Sequence, residues 1–354
     1  ERDYSACSLG SHPSSYDGKQ WYCGGSSAGY PGRFRPQWGR TRADGSAIPN
    51  PSYTPADDAG NPRTWNSEFY NFGPLNYWQR PAERWSASAF MHYDVTDSAK
   101  IYSEFMFHDD RTVSQIAPSG IFAYKRYDIP CDGGNPLVSA AWLNVICFNR
   151  GTSPPLTTAD TAQIDVARRN VEGGGRQDDI RHTSYRGVLG IKGDVWDKNW
   201  NYDVSATYST VVFQETYNND FSITRTARAM DVVRDPTTGE PVCASVLNGV
   251  DPNCVPYDIW RIGGVTPAAL DYLTIPLFSK GDTELKTVNV SLASDLGNYG
   301  IKLPTAEDGI GVAFGAGYYE NSLDFRTDPN FESGDGAGQG GPTIGQSGGY
   351  NATE

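Results

Sequence analysis

The most regular stretch of the chain is 183–210, where apolar and polar positions alternate with a period of two. Tyr185, Gly187, Leu189, Ile191 and Val195 share one parity, and Ser184, Arg186, Lys192 and Asp194 the other. After Trp196-Asp197-Lys198-Asn199 the alternation resumes, with Trp200, Tyr202, Val204, Ala206 and Tyr208 opposed to Asn201, Asp203, Ser205, Thr207 and Ser209. Alternation on both sides of a short turn predicts a β-hairpin, here placed at 182–215. Its arms are long beside the usual strand of about 5–6 residues.

Two further hairpins follow the same rule. At 84–108, Trp85, Ala87, Ala89, Met91, Tyr93 and Val95 alternate with Ser86, Ser88, His92 and Asp94. The return arm sets Ile101, Phe105 and Phe107 against Lys100, Glu104 and His108; Phe90 and Met106 interrupt the polar row. At 284–325, Val288, Val290 and Leu292 oppose Asn289 and Ser291. Its second arm sets Ile310, Val312, Phe314, Ala316 and Tyr318 against Gly311, Ala313, Gly315 and Gly317. Small residues on that second face leave room for something bulky against the sheet.

The connections carry as much information as the strands. Within hairpins they are short, as at Thr96-Asp97-Ser98. Between hairpins they are very long, 111–181 and 216–283, far beyond the 12–15 residues that compact domains tolerate without a special reason. Segments 1–80 and 326–354 read as further loop, the first including the entry into a strand. Alternating short and long connections place every long loop at one end of the sheet. That is the layout of an antiparallel transmembrane β-barrel: short periplasmic turns, long extracellular loops, an apolar row facing lipid and a polar row facing the lumen. A secreted β-sandwich also alternates, but it buries its apolar face on a second sheet and uses shorter strands.

Composition narrows the classes further. The 354 residues include 39 Gly, 23 Pro, 21 Tyr and 9 Trp but only 3 Met, which favours strands and turns over helices. An aromatic content of 12% argues against simple disorder. A formal net charge of −13 speaks against a nucleic-acid partner, which needs a clustered basic surface. Six cysteines fall as close couples, Cys7 with Cys23, Cys131 with Cys147 and Cys243 with Cys254. Zinc-type spacing is missing, so the couples are expected to form local disulfides in an oxidising compartment.

On particular runs the chain resembles TonB-dependent outer-membrane receptors of Gram-negative bacteria. The runs are Tyr70-Asn71-Phe72-Gly73-Pro74-Leu75-Asn76-Tyr77 with Gln79-Arg80-Pro81-Ala82-Glu83-Arg84, then Tyr93-Asp94-Val95-Thr96-Asp97. Others are Tyr185-Arg186-Gly187-Val188-Leu189-Gly190 before Trp200-Asn201-Tyr202-Asp203-Val204, and Gly309-Ile310-Gly311-Val312-Ala313-Phe314-Gly315; Asp231 to Pro241 followed by Cys243 and Cys254 looks like a loop of such receptors. The resemblance implies energy-coupled uptake of a scarce small-molecule nutrient, such as a siderophore or carbohydrate, with outer-membrane lipid and the TonB complex as partners. It implies neither an enzyme nor a cofactor. Receptors of this kind hold a plug domain inside a 22-stranded barrel, whereas this sequence offers about a third of the strands and nothing resembling a plug or coupling box. It is therefore expected to be an internal section of a larger receptor, reaching TonB through parts absent from this chain. Two alternatives remain: a complete small porin of about eight strands, and a secreted disulfide-stapled β-protein that binds or hydrolyses carbohydrate.

Two groups of residues are candidates for ligand contact. One is the polar row of the hairpins, with His92, Glu104, His108, Arg186, Lys192 and Asp203. The other lies in the aromatic-rich loops, with Tyr124, Trp142 and Trp260, accompanied by Tyr127 and Tyr257. Aromatic faces suit sugars or hydrophobic chelators, and Arg and Lys suit anionic ones. Gly345-Gln346-Ser347-Gly348-Gly349 spells a hydrolase elbow, but no strand–helix context surrounds it. The four His residues lack metal-ligand spacing, and Asp109-Asp110 and Asp178-Asp179 lack the ligand spacing of a calcium loop. No catalytic residue and no metal site is therefore assigned.

Overall fold

The structure, a computed structural model, describes residues 7–9, 21–23, 25–39, 50–66, 68–150, 154–196, 199–336 and 350–353; at 7–9, 21–23, 123–124 and 350–353 only the backbone is described. The glycine-rich segment with the Gly345–Gly349 spelling lies outside these residues.

The three hairpins form one antiparallel sheet. Its strands are β1 (Ala82–Thr96), β2 (Ala99–Ile116), β3 (Arg176–Val195), β4 (Trp200–Phe221), β5 (Thr274–Asp295), β6 (Gly311–Thr327) and β7 (Tyr350–Thr353). Each pairs with the next in chain order, an up-and-down meander. The sheet does not close among the described residues: β1 has β2 as its sole ladder partner, and β7 pairs with only part of β6.

Register joins the separate alternations into two faces. Directly opposite residues of an antiparallel pair share a face. Met91 stands opposite Ser103, Ser103 opposite Leu189, Leu189 opposite Ala206, Ala206 opposite Val288, and Val288 opposite Tyr318. The apolar parity of all three hairpins is thus a single surface across β1–β6. Nothing among the described residues covers it, and Leu189 in its middle is 62% exposed. The reverse face carries His92, Lys100, Glu104, Arg186, Asp203 and Asn289. Phe90 and Met106 lie on this polar face with them, as does Tyr319 opposite Thr287.

The strands run past their sequence-predicted ends, to Ile116 and from Arg176, and to Phe221 and from Thr274. Beyond these ends the long connections do not wander as coil. With part of the N-terminal segment they build a second unit, whose five-stranded sheet has the order Pro62–Thr64, Tyr53–Pro55, Arg33–Pro36, Thr161–Arg169, Gly120–Pro130. Short helices Ala140–Leu143, Ile223–Met230 and Pro267–Leu273 pack around it. All three start on a side-chain cap, where Ser139, Ser222 and Thr266 accept from otherwise unpaired backbone N–H groups.

This loop domain has its own core. Phe34 packs against both Trp142 and Trp260 at centroid distances of 5.0 and 5.1 Å, and the two indoles meet edge to face at 5.4 Å. The Trp142 indole N–H donates to the Trp260 carbonyl at 2.8 Å. Ile121, Ile129, Ile146, Ile164 and Phe221 complete the cluster. Disulfides Cys131–Cys147 and Cys243–Cys254 clip the two long connections, as the spacing predicts. Backbone pairing places Cys7 opposite Cys23, but the side chains of that couple are outside the described residues. A smaller cluster, Tyr217, Ile275, Leu277 and Phe331, closes the upper end of the polar face.

Arg168 crosses this core almost fully buried. Its guanidinium pairs with Glu172 at 2.5 Å, donates to the Tyr257 hydroxyl at 2.9 Å and reaches the Pro31 carbonyl at 3.0 Å. A charge so placed survives because every face of it is answered. Burial pushes the Tyr257 phenol up to about 12, against the pull of Arg168. A phenol ionises near pH 10 when the chain is unfolded. The neutral phenol therefore contributes stability below about pH 10 that fades as pH climbs through about 12. Alkaline titration followed by tyrosinate absorbance and near-UV circular dichroism should show loop-domain packing lost together with the ionisation of Tyr257. Tyr257→Phe should remove that component; a variant with an unchanged alkaline limb would refute the assignment.

Candidate functional site

The polar face of the sheet gathers the charged half of the predicted residues. At its lower end, near the short turns, β1 contributes His92 and Asp94, β2 Lys100, Tyr102 and Glu104, β3 Arg186 and Lys192, and β4 Asp203. Strand pairing fixes the arrangement, since Tyr102 lies opposite His92 on one side and Gly190 on the other.

Gly190 explains how one side chain spans three strands. A Cβ built there would sit 2.3 Å from the Tyr102 ring. With hydrogen in its place the ring lies flat across β3, and its hydroxyl donates to Asp203 on β4 at 2.7 Å. Around this bridge Lys100 pairs with Asp94 at 3.2 Å and Arg186 with Glu104 at 2.9 Å. Three cations and three carboxylates thus face one another, and two of each are spent on mutual pairs. Lys192 stands 5.4 Å over the Tyr102 ring and makes no ion pair among the described residues. Of the three cations it is the one without a carboxylate partner among the described residues. Two open hollows adjoin it. One of about 430 Å³ is lined by Phe90, His92, Glu104 and Lys192, and one of about 510 Å³ by Asp94, Lys100, Asn201 and Ser291.

The structure separates the remaining predicted residues from this cluster. His108 shares the polar face but lies higher, with its Nε2 3.6 Å from Asp110, whose other oxygen is 3.6 Å from His182. Trp142 and Trp260 were expected to offer aromatic faces to a ligand. That expectation is corrected: they are 0% and 1% exposed, and their faces are consumed by Phe34 and each other. Tyr257 is likewise buried. The Tyr124 side chain is outside the described residues, and burial raises the Tyr127 phenol against the same core. Tyr102, Asp94 and Lys100 belong to the site though the sequence reading passed over them as ligand residues. The available signal was an aromatic at Tyr102 on the polar parity of β2. Among the described residues no group of three His, Cys, Asp or Glu side chains could hold a metal ion.

The arrangement is suited to reversible binding. Its groups are charged, half-exposed and mutually compensated, a surface that can exchange internal ion pairs for those of a guest at little net cost. No family model, curated protein or solved structure matches this chain.

Proposed function

We propose that the chain is an internal section of an outer-membrane β-barrel receptor of the TonB-dependent kind, taking part in uptake of a scarce small-molecule nutrient. The observation that carries this reading is the single uncovered apolar surface shared by β1–β6, backed by a polar face and topped by loops at one end. A contiguous apolar surface running across six strands is of a kind that water-soluble monomers rarely leave uncovered. In lipid it needs no cover, and the backbone between β1 and β6 is paired strand to strand, while the outer edges of β1 and of most of β6 are left for the rest of the receptor to pair. On this reading the Lys192–Tyr102–Asp203 cluster faces the lumen, the loop domain lies outside the cell, and its disulfides suit that compartment. Outer-membrane lipid, the TonB complex and an unidentified nutrient are the implied partners.

The test is fractionation of the full-length protein from its native cells. It should stay in outer membranes washed with alkaline carbonate and leave them only with detergent. Recovery in the soluble wash, monodisperse without detergent, would overturn the reading.

A further inference from the structure

Between Asp203 and Glu215 the charges of the polar face stop at β3. Five register rows cross β4, β5 and β6 there, from Ser205–Asn289–Gly317 at the bottom to Phe213–Gly281–Phe325 at the top. None of these positions is charged. On β1–β3 the same five rows hold Arg84, Glu104, His108, Asp110, His182 and Arg186 among others. The strands themselves are not short of charge. On β5, Asp282, Glu284 and Lys286 alternate with Thr283 and Leu285, and the pleat sends all three to the reverse face.

Aromatic, aliphatic and hydroxylic groups stand there instead. Ser209, Val211, Thr283, Leu285, Asn321 and Leu323 line an open hollow of about 310 Å³. Above it, Gly281 lets Phe325 lean across β5. A Cβ there would meet the Asp324 carbonyl at 2.5 Å and the Phe325 ring at 3.1 Å. The ring centroid is thereby 6.2 Å from that of Phe213, which His182 meets from the other side at 5.3 Å. Below the hollow stands Tyr319, 59% exposed, with the bare Gly317 next to it on the same face. The side chains of Ser209, Thr283, Tyr319 and Asn321 make no hydrogen bond among the described residues, so their donors and acceptors are open.

From this neutral field we infer that the polar face of β4–β6 binds an uncharged oligosaccharide, with Tyr319 and the Phe213–Phe325 pair as its stacking platforms. A sugar ring presents flat C–H faces and a rim of hydroxyls. Aromatic and aliphatic walls set with a few Asn, Ser and Thr groups match both. An ionic guest would meet no counter-charge here, and its desolvation would go uncompensated. Tyr319 lies six residues below Phe325, about 20 Å along the strand, a span for several linked rings. The inference rests on the receptor reading above and deepens it: it names the class of nutrient and sets its contact on the strands beside the Lys192 cluster.

The experiment uses the full-length protein in a detergent without a sugar headgroup. Titration calorimetry measures binding of short neutral glucan, mannan, xylan and galactan fragments, with oligogalacturonate and a ferric hydroxamate as charged probes. The expected result is binding of at least one neutral fragment, weakened about tenfold in Tyr319→Ala and nearly restored in Tyr319→Phe. Thr283→Asp, which sets a carboxylate in the hollow, should weaken it likewise. Binding of the charged probes alone, or of none, would overturn the saccharide site and leave the receptor reading to its own fractionation test. A neutral fragment bound equally well by the parent, Tyr319→Ala and Thr283→Asp would place the sugar elsewhere and overturn the site as well. Sugar binding lost in both variants of a protein that fractionates as soluble would sustain the site and overturn the receptor.

Discussion

Replacing Trp142 with alanine is expected to destabilise the loop domain by about 3–5 kcal/mol, the loss typical of removing a large aromatic from a closed core. Trp142 is completely buried, with one ring face against Phe34 and an edge against Trp260. Its removal also strands the Trp260 carbonyl, which accepts its indole N–H at 2.8 Å, and an unanswered buried acceptor adds to the cavity cost. The disulfide Cys131–Cys147 brackets the helix that carries Trp142, so the surroundings cannot simply collapse into the void. Hydrogen exchange of the strands Thr161–Arg169 and Gly120–Pro130 should accelerate, while β3 and β4 at the level of Leu189 remain protected. Trp142→Phe should lose markedly less. Equal acceleration in the long sheet would mean that the two units do not open separately.

The second large effect concerns the other unit. Leu189→Arg places a charge in the middle of the apolar face, between Ser103 and Ala206, and is expected to cost about 2–4 kcal/mol of stability in the bilayer. Thr207→Arg, one residue from Ala206 on β4 and on the polar face, is the matched control and should cost little. Urea titrations of folding into vesicles measure both. Equal losses for the two variants would contradict the assignment of faces.

The faces were legible in the sequence because alternation is a local property. Once Tyr185 and Ser184 differ in kind, the pleat separates them whatever the neighbouring strands do. Strand ends were less legible. From Asp109 upward the apolar row gives way to charge, but the ladder between β2 and β3 continues to Ile116 and Arg176, since backbone pairing does not need an apolar side chain. The loop domain was hidden for another reason. Its strands Arg33–Pro36, Tyr53–Pro55 and Pro62–Thr64 are too short to display a period, and its order can be written only after distant segments meet. Trp142 and Trp260 therefore read as loop aromatics free to bind, when they are the centre of a core. At the polar site, parity gathered Glu104, Arg186, Lys192 and Asp203 correctly onto one face. The bridge from Tyr102 depended on the emptiness above Gly190, which register alone discloses.

Phe34 finding its partners in Trp142 and Trp260 has a consequence in time. The loop domain cannot acquire its core until the segment around Trp260 has been delivered, by which point β1 to β4 have already left the ribosome. Contacts between segments so far apart in the chain form slowly. The early residues of this core thus emerge without a folded partner and wait for the segment around Trp260 to close it.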